Sequence, residues 1–66
     1  MYLIKIKGNK RIPGFLQIRD QQFTLVAYFR LKNIRAGLAK NGLESKTDEI
    51  CSVVNSLHYG VVQKID

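Results

Sequence analysis

Two different hydrophobic periods divide the chain near residue 32. Over residues 2–7, 15–19 and 23–31, apolar residues alternate with polar ones, and a period of two is typical of strands with one buried face. From Asn33 onward, the apolar residues recur three and four positions apart, as they do in amphipathic helices. The pattern therefore predicts three consecutive strands followed by helices, which restricts the fold class to α+β.

The second half of the chain predicts two short helices and one last strand. The first helix is capped by Asn33 and ends at Lys40, before an Asn-Gly stop signal. The second helix covers residues 47–58, with an apolar stripe of Ile50, Val53, Val54 and Leu57. Residues 61–65 form a strand that returns to the sheet. The predicted order is β-β-β-α-α-β, a single domain over residues 1–66. Its antiparallel sheet has three to four strands, and both helices pack on one face of that sheet.

Alternation also predicts which side chains each strand leaves on the uncovered face of the sheet. In the first strand, the aromatic and β-branched side (Tyr2, Ile4 and Ile6) is expected to be buried. The residues expected to face inward from the second strand are Leu16 and Ile18, and those from the third strand are Phe23, Leu25, Ala27, Phe29 and Leu31. Leu3 and Val26 are expected on the uncovered face, together with a set of aromatic and cationic residues. These residues are Lys5, Lys7, Phe15, Arg19, Tyr28 and Arg30.

The charge of the chain is strongly positive for its size. Eleven Lys and Arg residues oppose five Asp and Glu residues, which gives a formal net charge of +6 and an isoelectric point near 9.8. Such a field attracts polyanions, so nucleic acid, an anionic membrane surface and an acidic protein partner are all candidates. A membrane-surface role requires a basic amphipathic helix, whereas the second predicted helix begins with Asp48 and Glu49. No membrane partner is therefore expected.

The residues that carry chemistry are too few and too scattered for a catalytic or metal site. Cys51 and His58 are the only thiol and imidazole, and seven residues of helix separate them by about 10 Å. One Cys and one His cannot assemble a zinc site without recruiting carboxylates. The glycines do not form a phosphate-cradling loop. The sequence therefore predicts that the protein is not an enzyme and holds no cofactor or metal.

The single cysteine also bears on the cellular compartment. One Cys cannot form an internal disulfide, and small secreted domains usually depend on such bonds, so a reducing, cytoplasmic location is expected. The first eight residues carry a charge by position five, and no apolar run is long enough to cross a bilayer. Neither a signal peptide nor a membrane span is predicted.

One part of the chain resembles a known family of assembly proteins. Residues 49–65 predict a helix, then Tyr59-Gly60, then a strand with a basic edge, and this succession is similar to the end of small phycobilisome linker domains. The resemblance covers about a quarter of the chain and implies a basic assembly adaptor. Residues 32–46 have no counterpart in that pattern, and His58-Tyr59-Gly60 stands where the family has paired glycines.

The sequence favours a small, non-catalytic module that binds RNA or single-stranded DNA on its open sheet face, where rings stack on bases and cations follow phosphates. The predicted phosphate contacts are Lys5, Lys7, Lys10, Arg11, Arg19 and Arg30, and the predicted stacking residues are Phe15 and Tyr28. The alternative is a protein–protein adaptor or a subunit of a larger complex, including a homodimer. Its anchors on the same face would be Leu3, Phe15, Val26 and Tyr28.

Overall fold

The computed structural model describes residues 1–65 as a four-stranded antiparallel sheet with two helices on one face. The strand order in the sheet is β3-β2-β1-β4. The strands are β1 (Tyr2–Lys7), β2 (Gly14–Arg19), β3 (Leu25–Arg30) and β4 (Val62–Lys64). The helices are α1 (Ile34–Lys40) and α2 (Thr47–Ser56), each preceded by a 3₁₀ turn, at Leu31–Asn33 and Glu44–Lys46. The predicted fold class and element order are confirmed.

The hydrophobic core lies between the sheet and the two helices. The predicted inward side of β2 and the predicted apolar stripe of α2 both contribute to it. Full burial of one such side chain stabilises a fold by about 1.5–3 kcal/mol, so a few of them dominate the stability of a domain this small. The buried residues are Leu3, Leu16, Ile18, Ala27, Leu38, Ile50, Val54, Leu57 and Ile65.

The first helix ends where the sequence predicts. Gly42 adopts a positive φ of 72°, and the N–H of Leu43 donates to the carbonyl of Leu38 at 2.9 Å, which closes the last turn. Gly37 lies inside this helix because the ring of Phe29 packs against its Cα. A Cβ at Gly37 would lie 2.4 Å from Cγ of Phe29, so the glycine lets α1 approach β3 closely. Asn33 precedes the helix but makes no side-chain capping bond.

The loop between β1 and β2 is shaped by one asparagine side chain. Oδ1 of Asn9 accepts hydrogen bonds from the main-chain N–H groups of Arg11 and Ile12, both at 2.9 Å. The N–H of Asn9 donates to the carbonyl of Ile12 at 2.8 Å. Lys10 and Arg11 are exposed in this loop, as predicted.

The hairpin between β2 and β3 differs from the prediction. Oδ1 of Asp20 accepts from the N–H groups of Gln22 and Thr24, and Phe23 adopts a positive φ of 64°. The predicted strand over residues 23–31 therefore begins only at Leu25, and the predicted burial of Phe23 and Leu25 is wrong, since both are exposed.

A β-bulge explains why the alternation fails at the start of β3. Ile18 pairs with Ala27 while Arg19 pairs with Leu25, so Val26 is an extra residue in the ladder. Alternation before the bulge no longer predicts which face a side chain occupies. Beyond it, Ala27 lies inward as predicted.

The two faces of β1 are the reverse of the prediction. Leu3 is fully buried opposite Ile18, and Lys5 is paired with the buried Leu16, so both point toward the helices. Lys7 shares this side by alternation and is exposed beyond the core. The predicted placement of Leu3, Lys5 and Lys7 on the uncovered face is therefore wrong.

Lys5 tolerates the inward side because its ammonium group reaches the end of α2. Its Nζ donates to the carbonyls of Val54 and Leu57, both at 3.2 Å, and lies 4.8 Å from the ring centre of Tyr59. The last carbonyls of a helix lack partners within it and carry a partial negative charge, which favours a cation. The apolar stem of a lysine can lie along the core while the charged end reaches polar groups.

Candidate functional site

The sheet face that the helices leave uncovered is the candidate binding surface. We call it the open face. Antiparallel pairing places directly opposed side chains on the same side, so the register of the four strands determines its composition. The residues of the open face are Tyr2, Ile4, Ile6, Phe15, Gln17, Arg19, Leu25, Tyr28, Arg30, Val62 and Lys64.

One end of the open face carries a stacked aromatic pair. The rings of Phe15 and Tyr28 have centroids 5.1 Å apart and planes inclined by 29°. Tyr28 remains 51% exposed, so its ring is available to a further planar group. Arg30 lies directly opposite Phe15 in the ladder and is exposed. The structure thus brings Phe15, Tyr28 and Arg30 together, as the sequence predicted.

The other end carries an aromatic cluster that the sequence did not predict. Tyr2 and Phe23 meet edge to face, with centroids 5.5 Å apart, and the guanidinium of Arg19 lies 4.8 Å from the ring centre of Phe23. Nη1 of Arg19 donates to the carbonyl of Phe23 at 3.0 Å, and Nη2 donates to Oε1 of Gln17 at 3.2 Å. Arg19 is therefore held in place by its own neighbours.

The left-handed backbone of Phe23 brings its ring to this cluster. A bulky residue at positive φ is rare, and such a conformation costs on the order of 1–3 kcal/mol. Alternation offers no signal for it, because Phe23 belongs to the turn and not to a strand. Strained conformations of this kind concentrate at functional sites, so Phe23 joins the candidate residues.

The charges on the open face are all positive within residues 1–65. Arg19, Arg30 and Lys64 lie on it, and no Asp or Glu does. Three acids, Glu44, Asp48 and Glu49, lie in the helical layer, and Asp20 accepts main-chain hydrogen bonds in the β2–β3 turn. The guanidinium of Arg19 forms no ion pair with any described residue. An anion on this face would therefore meet cations that no described carboxylate neutralises.

The six cations predicted as phosphate contacts fall into three groups. Arg19 and Arg30 lie on the open face, and Lys10 and Arg11 lie in the exposed β1–β2 loop. Lys5 and Lys7 are on the helix side, and the ammonium group of Lys5 donates hydrogen bonds to two main-chain carbonyls. Lys64 was missed, and it lies opposite Tyr2 at the edge formed by β4. Lys64 can be assigned to the open face only when the pairing of β4 with β1 is known.

A cleft of about 450 Å³ opens on the helix side of the molecule. It is lined by Lys5, Leu31, Ile34, Cys51, Val54 and Tyr59, among others. Within the described chain, no three His, Cys, Asp or Glu side chains come together in a way that could hold a metal ion. None of the described helices is long and apolar enough to cross a membrane.

No protein-family model, no curated protein and no solved structure matches this chain. The resemblance of residues 49–65 to phycobilisome linker domains therefore gains no support from these comparisons. What the protein binds has to be inferred from the chemistry of the open face.

Proposed function

We propose that this protein is a non-catalytic module that binds single-stranded nucleic acid on its open face, within a reducing, cytosol-like compartment. The observation that carries the proposal is the combination on one sheet face of aromatic rings at both ends, three cations and no described carboxylate. Bases stack on exposed rings whatever their sequence, and cations follow the phosphates.

The spacing of the two aromatic clusters suits a strand of several nucleotides. Phe15 and Arg19 are four residues apart on β2, which is about 13 Å at roughly 3.3 Å per residue. Tyr28 lies at the first end and Phe23 at the second. A strand that crosses the sheet can therefore stack one base at each end and place its phosphates near Arg19, Arg30 and Lys64.

A single strand fits this surface better than a duplex does. The bases of a duplex are already stacked on one another, so exposed rings gain little from them. Reading a major groove requires a projecting element such as a basic helix. In this protein α2 carries Asp48 and Glu49 in its first turn and has no Lys or Arg.

Salt dependence tests the proposal directly. Each phosphate contact to a single strand contributes about −0.7 to the slope of log affinity against log salt concentration, so three contacts predict a slope near −2. The Arg30→Glu variant should bind more weakly and with a slope shallower by at least about 0.7. Lys40→Glu is the matched control, since it changes the net charge equally but lies in the helical layer. Fluorescence anisotropy of labelled single-stranded RNA and DNA measures both quantities.

Two outcomes of this binding experiment would contradict the proposal. If Lys40→Glu weakens binding as much as Arg30→Glu does, the attraction is a property of net charge, and the open face is not the site. If wild-type protein does not bind either oligonucleotide at low salt, the nucleic-acid proposal is wrong.

A second function is favoured by one specific finding. The reversal of β1 places Ile4 and Ile6 on the open face, where Val62 joins them, so the face is more apolar than the sequence suggested. Apolar side chains rimmed by cations also suit an acidic protein partner, which would make the chain an adaptor. Affinity for such a partner would depend on Ile4 and Ile6 and would respond less steeply to salt.

A further inference from the structure

The two edges of the sheet are protected very differently. The β4 edge is only three residues long and includes Lys64, and both features discourage pairing with another chain. The β3 edge is six residues long, pairs only with β2, and contains no Pro, Lys, Asp or Glu. Its single charge is Arg30, at the end of the strand. Natural sheets rarely leave such an edge unpaired.

The side chains along this edge are also unusually apolar for a strand exposed to water. Leu25, Val26 and Tyr28 are each about half exposed. The bulge at Val26 distorts only the start of the strand, and residues 27–30 keep regular pairing with β2. The β3 edge therefore presents regular backbone donors and acceptors together with apolar surface.

We propose that β3 pairs antiparallel with β3 of a second copy of this chain, which gives a continuous sheet of eight strands. A two-fold axis perpendicular to the sheet makes the contact self-complementary and keeps both helical layers on one side. With the axis at Tyr28, this residue faces its own copy. Ala27 then faces Phe29 of the partner subunit, and Val26, at the bulge, comes next to Arg30 of the partner subunit, so no two like charges meet across the interface.

This dimer joins the two open faces into one surface. The Phe15–Tyr28 pairs of both copies meet at its centre, where they extend the row of rings. Each copy has a formal charge of +6, so the copies repel at long range and salt should strengthen their association. Oligonucleotide binding to the open face should weaken with salt, so the two properties can be separated.

Two variants of Val26, one with a positive and one with a negative side chain, test both the pairing of the β3 edges and its register. Val26→Lys puts a like charge next to Arg30 of the partner subunit, twice in the symmetric dimer, and should raise the dimer dissociation constant by about tenfold. Val26→Glu puts an opposite charge there and should lower this constant. The controls are Val62→Lys and Val62→Glu, which alter the net charge equally at a similarly exposed valine on β4. Sedimentation velocity over a concentration series measures the constants, with circular dichroism to verify folding.

We expect wild-type protein to sediment at twice the 7.6-kDa chain mass, with tighter association at higher salt. A wild-type monomer at every concentration and salt level would overturn the dimer. Equal effects of lysine and glutamate at the two valines would also overturn it, since net charge would then explain both. Labelled oligonucleotide is titrated into the same samples. Binding by a strict monomer refutes the dimer alone, and a dimer that binds no oligonucleotide refutes only the proposed function.

Discussion

Replacing Leu3 with lysine is expected to unfold the domain, whereas replacing its neighbour Ile4 with lysine should leave it folded. Leu3 has no exposed surface and packs opposite Ile18 in the core. A buried charge without a partner costs several kcal/mol, and a domain of this length has roughly 3–10 kcal/mol of stability at 0.05–0.15 kcal/mol per residue. The Leu3→Lys variant therefore loses most or all of its stability.

The Ile4→Lys variant is the matched comparison, with the same new side chain one residue along. Ile4 lies on the open face beside Gln17 and Val62, so a lysine there keeps its ammonium group in water. We expect a loss of at most about 1–2 kcal/mol, as for other partly exposed apolar positions. Urea unfolding followed by circular dichroism measures both variants. The opposite outcome, a folded Leu3→Lys and an unfolded Ile4→Lys, would restore the face assignment that alternation predicted.

Loss of the exposed ring of Tyr28 should weaken oligonucleotide binding strongly. Stacking of a base on an aromatic side chain contributes about 1–3 kcal/mol, which corresponds to roughly 5- to 150-fold in affinity. The Tyr28→Ala variant should lose a factor in this range, and Phe15→Ala should lose less because Phe15 is only partly exposed. Neither ring contacts a phosphate in the proposed complex, so the salt slope should stay that of the wild type.

Tyr59 provides the control for this experiment. It is exposed to a similar degree as Tyr28, but it lies on the helix side, beside the ammonium group of Lys5. Tyr59→Ala should leave the affinity for single-stranded RNA within about twofold of the wild type, since exposed substitutions away from a site have small effects. If Tyr59→Ala weakens binding as much as Tyr28→Ala does, the stacking platform is not on the open face.

The sequence carries enough information for most of the fold. The two hydrophobic periods predicted the element order, and the stripe through Ile50, Val54 and Leu57 predicted the buried side of α2. Gly42 predicted the end of α1 because a positive φ is easiest for glycine. These features depend on local geometry, which neighbouring residues determine.

The sequence could not predict the faces of β1, because they depend on a distant element. Lys5 can occupy the inward side because the carbonyls of Val54 and Leu57, about fifty residues away, accept its hydrogen bonds. A rule that places cations outward and β-branched residues inward fails when a helix end lies within reach. The consequence for the candidate site is large, since the open face loses two lysines and gains Tyr2, Ile4 and Ile6.

The second aromatic cluster was missed for a different reason. Phe23 reaches the open face from a turn whose shape depends on the hydrogen bonds of Asp20 and on the bulge at Val26. Alternation describes regular strands only and is silent about such positions. Phe15, Tyr28 and Arg30 lie beyond the bulge, so the simple period of two placed them correctly.

A titration of the isoleucine side chains tests the role of the open face most directly. In protein with labelled isoleucine methyl groups, single-stranded RNA at low salt should shift the signals of Ile4 and Ile6, which lie on the open face opposite Gln17 and Phe15. The signals of Ile34 and Ile50, in the helical layer, should stay in place. Shifts confined to Ile34 and Ile50, or no shift at any methyl group, would contradict binding on the open face.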